Sequence, residues 1–81
     1  MSNPLIQFRA AHGLSRPELA LATGIPYNAL WRAEAGYPRK LEPNLVRFLV
    51  ESGYQGDPQA DYRGWREELG NTVRKEHRLA G

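Results

Sequence analysis

The stretch "LSRPELALATGIPYNALWRAEAGY", residues 14–37, constrains the fold more than any other part of the chain. Helix-forming patterns stand on both sides of Gly24. Ser15, Arg16, Pro17 and Glu18 spell a capping box, in which the serine caps the N–H of the third helical residue and the glutamate reaches back to the serine N–H. Pro17 falls in the first turn, where its missing N–H costs nothing. Leu19, Ala20 and Ala22 carry this helix to about Thr23. Gly24 lacks a Cβ and turns the chain at little steric cost, and Pro26 starts a further helix, residues 26–35. Two helices of about eight residues joined by so short a turn must cross steeply to bury Leu19, Ile25 and Leu30 together.

The flanks repeat this punctuation. Asn3 and Pro4 open a first helix, with Leu5, Phe8 and Ala11 expected on its inner face and Gly13 as its stop. After the loop Gly36, Tyr37, Pro38, Arg39, Lys40, a fourth helix starts near Glu42 and Pro43, buries Leu45, Phe48 and Leu49, and ends at Gly53. Residues 54–58 are turn-forming. Beyond them Tyr62, Trp65, Leu69 and Val73 recur at three- and four-residue spacing, marking a fifth amphipathic helix that Gly64 and Gly70 weaken. The polar end "NTVRKEHRLAG" is expected to fray. No stretch alternates like a strand, so the fold class is all-α, a compact bundle of about five helices.

At 81 residues the chain holds one small core and has little room for an active-site cleft. Its 41% apolar and 25% charged content is that of a soluble domain, and no run is long enough to cross a membrane. The N-terminus lacks a signal-peptide layout and there is no cysteine, so a cytoplasmic location is expected. The net charge is +2, unevenly spread: residues 1–50 carry six basic and three acidic side chains, residues 51–81 five and six. The basic excess at the front hints at a polyanionic partner.

Catalytic equipment is hard to assemble from these residues. His12 and His77 are the only histidines, and His12 suits a helix C-terminus as a cation. The adjacent Glu67 and Glu68 diverge by about 100° around a helix and do not converge on a substrate. There is no glycine-rich phosphate loop and no nucleophile elbow. The expectation is no enzyme, no cofactor, no metal and no small-molecule substrate.

Together, "GLSRPELALATGI", the "AEAG" closing the third helix and "LEPNLVRFLVESG" resemble the helix-turn-helix family of phage Cro and CI repressors and related XRE-type bacterial regulators, over residues 5–53. The resemblance implies a lambda-repressor-like DNA-binding domain that binds operator DNA, commonly as a dimer, and regulates transcription. It divides the chain into residues 1–56, the DNA-binding part, and residues 57–81, a C-terminal helix for packing or dimerisation with a basic tail. Two positions depart from the family pattern: Arg16 replaces a usual glutamine, and Pro26 a usual serine or threonine, leaving the third helix without a side-chain cap.

The resemblance places Tyr27, Asn28, Trp31 and Arg32 against base edges. Asn28 suits an adenine edge and Arg32 a guanine edge or a phosphate. The plainer alternatives are a polar first-turn residue for Asn28 and, for Arg32, a solvated neighbour of Glu34. Tyr27 offers a phosphate or thymine-methyl contact, or local packing. Trp31 packs on sugar or a thymine methyl, belongs to a protein interface, or joins the core. Arg16, Arg39 and Lys40 flank the groove as phosphate contacts, with ordinary solvated cations as the alternative. The stripe Tyr62, Trp65, Leu69, Val73 is either core or a homodimer surface, and Arg74, Lys75 and Arg78 form a tail. The competing function is a protein-interaction module of antitoxin or antirepressor type, using Trp31 and the C-terminal aromatic stripe.

Overall fold

The computed structural model describes the backbone of residues 2–80 and the side chains of residues 2–75. Five helices follow one another: α1 (Pro4–His12), α2 (Arg16–Thr23), α3 (Tyr27–Ala35), α4 (Pro43–Glu51) and α5 (Pro58–Ala80). Among the described residues there is no strand.

Local chemistry accounts for most helix ends. The Asn3 side chain accepts from the N–H groups of Leu5 and Ile6, at 2.9 and 3.3 Å, satisfying two donors that no helical carbonyl reaches. The capping box forms at α2: Ser15 Oγ accepts from Glu18 N at 3.2 Å and Glu18 Oε1 from Ser15 N at 2.9 Å. These bonds hold the exposed Glu18 carboxyl below its ordinary range. The start of α3 differs, since Pro26 supplies no side-chain hydrogen bond. Asp57 opens α5 by accepting from Gln59 N and Ala60 N.

The three-residue connection between α2 and α3 turns at Gly24, whose φ is 78°. Burial of Leu19, Ala20, Ile25 and Leu30 holds the two helices against each other. Leu5, Phe8, Ala33, Leu41, Leu45, Leu49 and Tyr62 complete the same cluster, each large side chain contributing about 1.5–3 kcal/mol of burial. The cluster draws on every helix.

Several expected positions differ. Ala11 is exposed and Phe8 alone follows Leu5 into the core, because α5 covers only one stripe of α1. Phe48 is half-buried, edge-on to Phe8 at 6.2 Å between ring centroids. The aromatic stripe of α5 splits by depth. Tyr62 is wholly buried and its hydroxyl donates to Pro38 O at 2.9 Å, a core position that excludes it from any surface between copies. Trp65 is half-buried against the core, and Leu69 and Val73 remain exposed. From Asn71 to Lys75 every side chain is exposed, yet the backbone stays helical to Ala80, past both glycines and through the stretch expected to fray. The expected tail residue Arg78, and His77, lie outside the described side chains.

Candidate functional site

The acidic residue of α3 is its first organising feature. Glu34 is 5% exposed, and its carboxylate faces inward, between two arginines. Arg9 of α1 binds it in a fork, Nε to Oε2 at 2.6 Å and Nη2 to Oε1 at 3.0 Å. Arg16 of α2 adds Nε to Oε1 at 2.9 Å. The backbone carbonyl of Glu34 accepts from Asn3 Nδ2 at 2.6 Å, so the residue that caps α1 also ties down α3. One side chain therefore joins the first three helices. Two guanidinium partners provide the compensation that a buried carboxylate requires.

With Glu34 turned in, the opposite face of α3 carries no acid. Tyr27, Asn28, Trp31 and Arg32 lie at i, i+1, i+4 and i+5 and all are exposed, Tyr27 and Trp31 by 45% each. Asn28 offers an amide with donor and acceptor side by side, Arg32 a planar donor fork, and Trp31 an apolar plate with one N–H.

Arg16 has partners within the fold. Its Nη1 donates to the Tyr27 hydroxyl at 3.3 Å and its guanidinium lies 5.9 Å from the centre of that ring, while Nε is committed to Glu34. Tyr27 first, and then Glu34, hold its proton more tightly than an ordinary guanidinium does. Arg16 is thus a brace between α2 and the start of α3.

A second arrangement, which the sequence reading missed, sits at the far end of α3. Gly36 takes a φ of 87°, its N–H bonds Ala33 O, and Tyr37 N bonds Arg32 O at 3.1 Å. This Schellman turn folds Tyr37 back beside the last helical turn. The Tyr37 ring lies 5.9 Å from that of Trp31 and 5.5 Å from the Arg32 guanidinium, and is 62% exposed. The signal was present in "AEAGY", because a glycine stop places the following residue over the helix end.

Gly36 is also confined: a Cβ there would meet the Trp65 ring at 3.1 Å. Trp65 therefore serves to seat the loop. Arg39 and Lys40 are exposed on that loop. Lys40 and Arg32 share a depression of about 150 Å3 between α3 and α4 with the carboxylate of Glu42, so two cations and one acid face one space. The structure brings Tyr27, Asn28, Trp31 and Arg32 onto one face of α3, places Lys40 beside Arg32 and sets Tyr62 apart in the core.

Among the described residues no three His, Cys, Asp or Glu side chains cluster as metal ligands, and no helix is long and apolar enough to cross a membrane. Tyr54 lies away from α3. Its hydroxyl donates to Asp61 Oδ2 at 2.6 Å, and burial, then that bond, push its ionisation well above the usual tyrosine range. In comparisons with protein families, curated proteins and solved structures, none matches this chain.

Proposed function

We propose that the protein is a sequence-specific double-stranded DNA-binding regulator of transcription, a small phage-type repressor of Cro-like design, whose α2 and α3 act as a helix-turn-helix. One observation carries this reading. The acid of α3 is withdrawn and neutralised by Arg9 and Arg16, while Asn28, Arg32, Tyr27 and Trp31 are left exposed on a single face. A negatively charged groove would repel the first arrangement reversed and accept it as it stands. The major groove, about 12 Å wide, admits one α-helix, and amide and guanidinium groups are those that discriminate bases there.

In this reading Asn28 and Arg32 read base edges, Trp31 packs on sugar or a thymine methyl, and Arg39 and Lys40 hold phosphates. Arg16 acts indirectly, by fixing Tyr27. Leu69 and Val73 remain available for a homodimer contact through α5. The test is selection of bound duplexes from a random DNA pool, followed by fluorescence anisotropy of the full chain on the enriched duplex. Arg32→Ala is expected to relax the preference at one base position. Unchanged preference in both Arg32→Ala and Asn28→Ala would sink the reading.

One observation favours a second reading, a protein-interaction module of antitoxin or antirepressor type: the exposed pair Trp31 and Tyr37. Aromatic side chains of this kind anchor protein interfaces. In that case Trp31→Ala abolishes partner binding and Asn28→Ala is silent.

A further inference from the structure

The loop cations face α5 as well as α3. Arg39, Lys40, Arg63 and Arg66, with Gln59 and Glu67, line a trough of about 530 Å3. Four cations meet one carboxylate there. The ion pairs among the described residues are Arg9–Glu34, Arg16–Glu34 and Arg47–Glu51, so none of the four is neutralised by direct contact. Such a cluster repels itself unless an anion joins it.

The trough is held in shape by hydrogen bonds to the loop backbone from α5. Gln59 clamps Leu41 twice, accepting from its N–H at 3.0 Å and donating to its carbonyl at 2.9 Å. The Tyr62 hydroxyl donates to Pro38 O and Arg66 Nε to Gly36 O, each at 2.9 Å. These four bonds fix Arg39 and Lys40 relative to Arg63 without using the cationic groups of any of the three. An anion would meet donors already in place, which lowers the ordering cost of binding.

The basic face continues along the helix. Arg63, Arg66 and Arg74 recur at i, i+3 and i+11, and Arg66, Glu67, Gly70, Asn71 and Arg74 border a second depression of about 490 Å3. Gly70 adds no side chain to block the path, and a Cβ there would meet open space. From Arg63 to Arg74 the stripe runs roughly 16 Å, at 1.5 Å per residue. A single small phosphate would occupy one trough. A stripe of this length exceeds one phosphate and suits a run of successive phosphates on one duplex strand. Around α5, Arg63 and Arg74 stand about 80–140° from Leu69 and Val73, whereas Arg66 stands within about 60° of both.

We propose that this trough, carried by Arg63 and Arg66 with Arg39 and Lys40, is a phosphate-binding site that grips the phosphodiester backbone of duplex DNA beside the segment read by α3. The inference rests on the DNA-binding reading, and its test separates the two. The full chain is titrated by anisotropy with two duplexes sharing the enriched sequence, one trimmed to it and one extended by about one helical turn on each side. Arg63→Gln should weaken the extended duplex about fivefold at 0.15 M salt and lower the salt slope by about 1, with the trimmed duplex and the base preference unchanged. Arg63→Lys should restore most of the loss. Glu67→Gln should tighten the extended duplex about two- to fivefold, a gain that misfolding does not produce.

If Arg63→Gln and Glu67→Gln both leave the extended duplex unaffected while Arg32→Ala still relaxes preference, the trough is overturned and the role of α3 stands. If the wild type binds no duplex, calorimetry with inorganic tripolyphosphate decides: binding lost in Arg63→Gln keeps the phosphate site and overturns the DNA backbone as its source. No binding that depends on Arg63 overturns the site itself.

Discussion

The two faces of α3 are built for opposite purposes. Inward, Leu30, Ala33 and Glu34 are buried, and the carboxylate has a hydrogen-bond partner for each oxygen. Outward, Asn28 has no side-chain hydrogen bond within the described structure, and Trp31 and Arg32 each lie beside the neighbouring Tyr37 ring. Saturated groups stabilise a fold, whereas unsatisfied donors and acceptors remain free for a ligand. The difference teaches that charge on this helix is sorted by direction as well as by amount. Reversing that sorting should separate stability from binding.

The largest expected effect lies on the inner face. Glu34→Ala strands two arginines that keep 17% and 30% of their side-chain exposure, so the loss falls somewhat below that of a fully buried pair. Urea unfolding should show a destabilisation of about 2–4 kcal/mol. A change below about 0.5 kcal/mol would show that the three-helix link contributes nothing to the fold. On the outer face, Asn28→Ala and Arg32→Ala should each cost about 1–3 kcal/mol of duplex binding, read by anisotropy, while unfolding midpoints stay within about 0.5 kcal/mol of wild type. Equal losses of stability and affinity would erase the distinction between faces.

Two smaller effects sharpen it. Ser15→Ala removes the serine half of the capping box at the start of α2 and should lower stability by about 1 kcal/mol. Glu18 in that box has a carboxyl held below its ordinary value of 4.5. Its contribution is therefore present above that value and fades as pH falls through the lowered folded one, so thermal unfolding should find the deficit of Glu18→Ala narrowing in acid. The smallest effect belongs to Lys40→Ala, which should weaken all sequences alike and reduce the salt slope of binding by about 1. A sequence-dependent loss would instead make Lys40 a base contact.

Legibility in the sequence followed the range of the interaction. The capping bonds of Asn3, Ser15 and Glu18 and the turn at Gly24 lie within four residues, and from them the order and approximate bounds of α1 to α3 could be read, whereas the extent of α5 to Ala80 could not. The outward placement of Tyr27, Asn28, Trp31 and Arg32 followed from the helical period once Leu30 and Ala33 were set inward. Glu34 was harder, because its partners lie 25 and 18 residues away. Beside Arg32 at i+2 it reads as a solvated neighbour, although two residues along a helix turn about 200° and point to the opposite side. The partners of Arg16 were hidden for the same reason: a first-turn arginine looks free until the third helix brings Glu34 and Tyr27 beside it. The depth of Tyr62, Trp65, Leu69 and Val73 depended on where the core ends, which spacing alone does not encode.

The central claim, that the outer face of α3 reads base sequence, is tested most directly by selecting bound duplexes from a random DNA pool at about 0.15 M salt, where charges are screened beyond about 8 Å. The account predicts enrichment of a defined motif, a palindrome with half-sites about 10 bp apart if the protein binds as a dimer, and loss of preference at single positions in the Asn28→Ala and Arg32→Ala proteins. A pool that stays random after repeated rounds would contradict it.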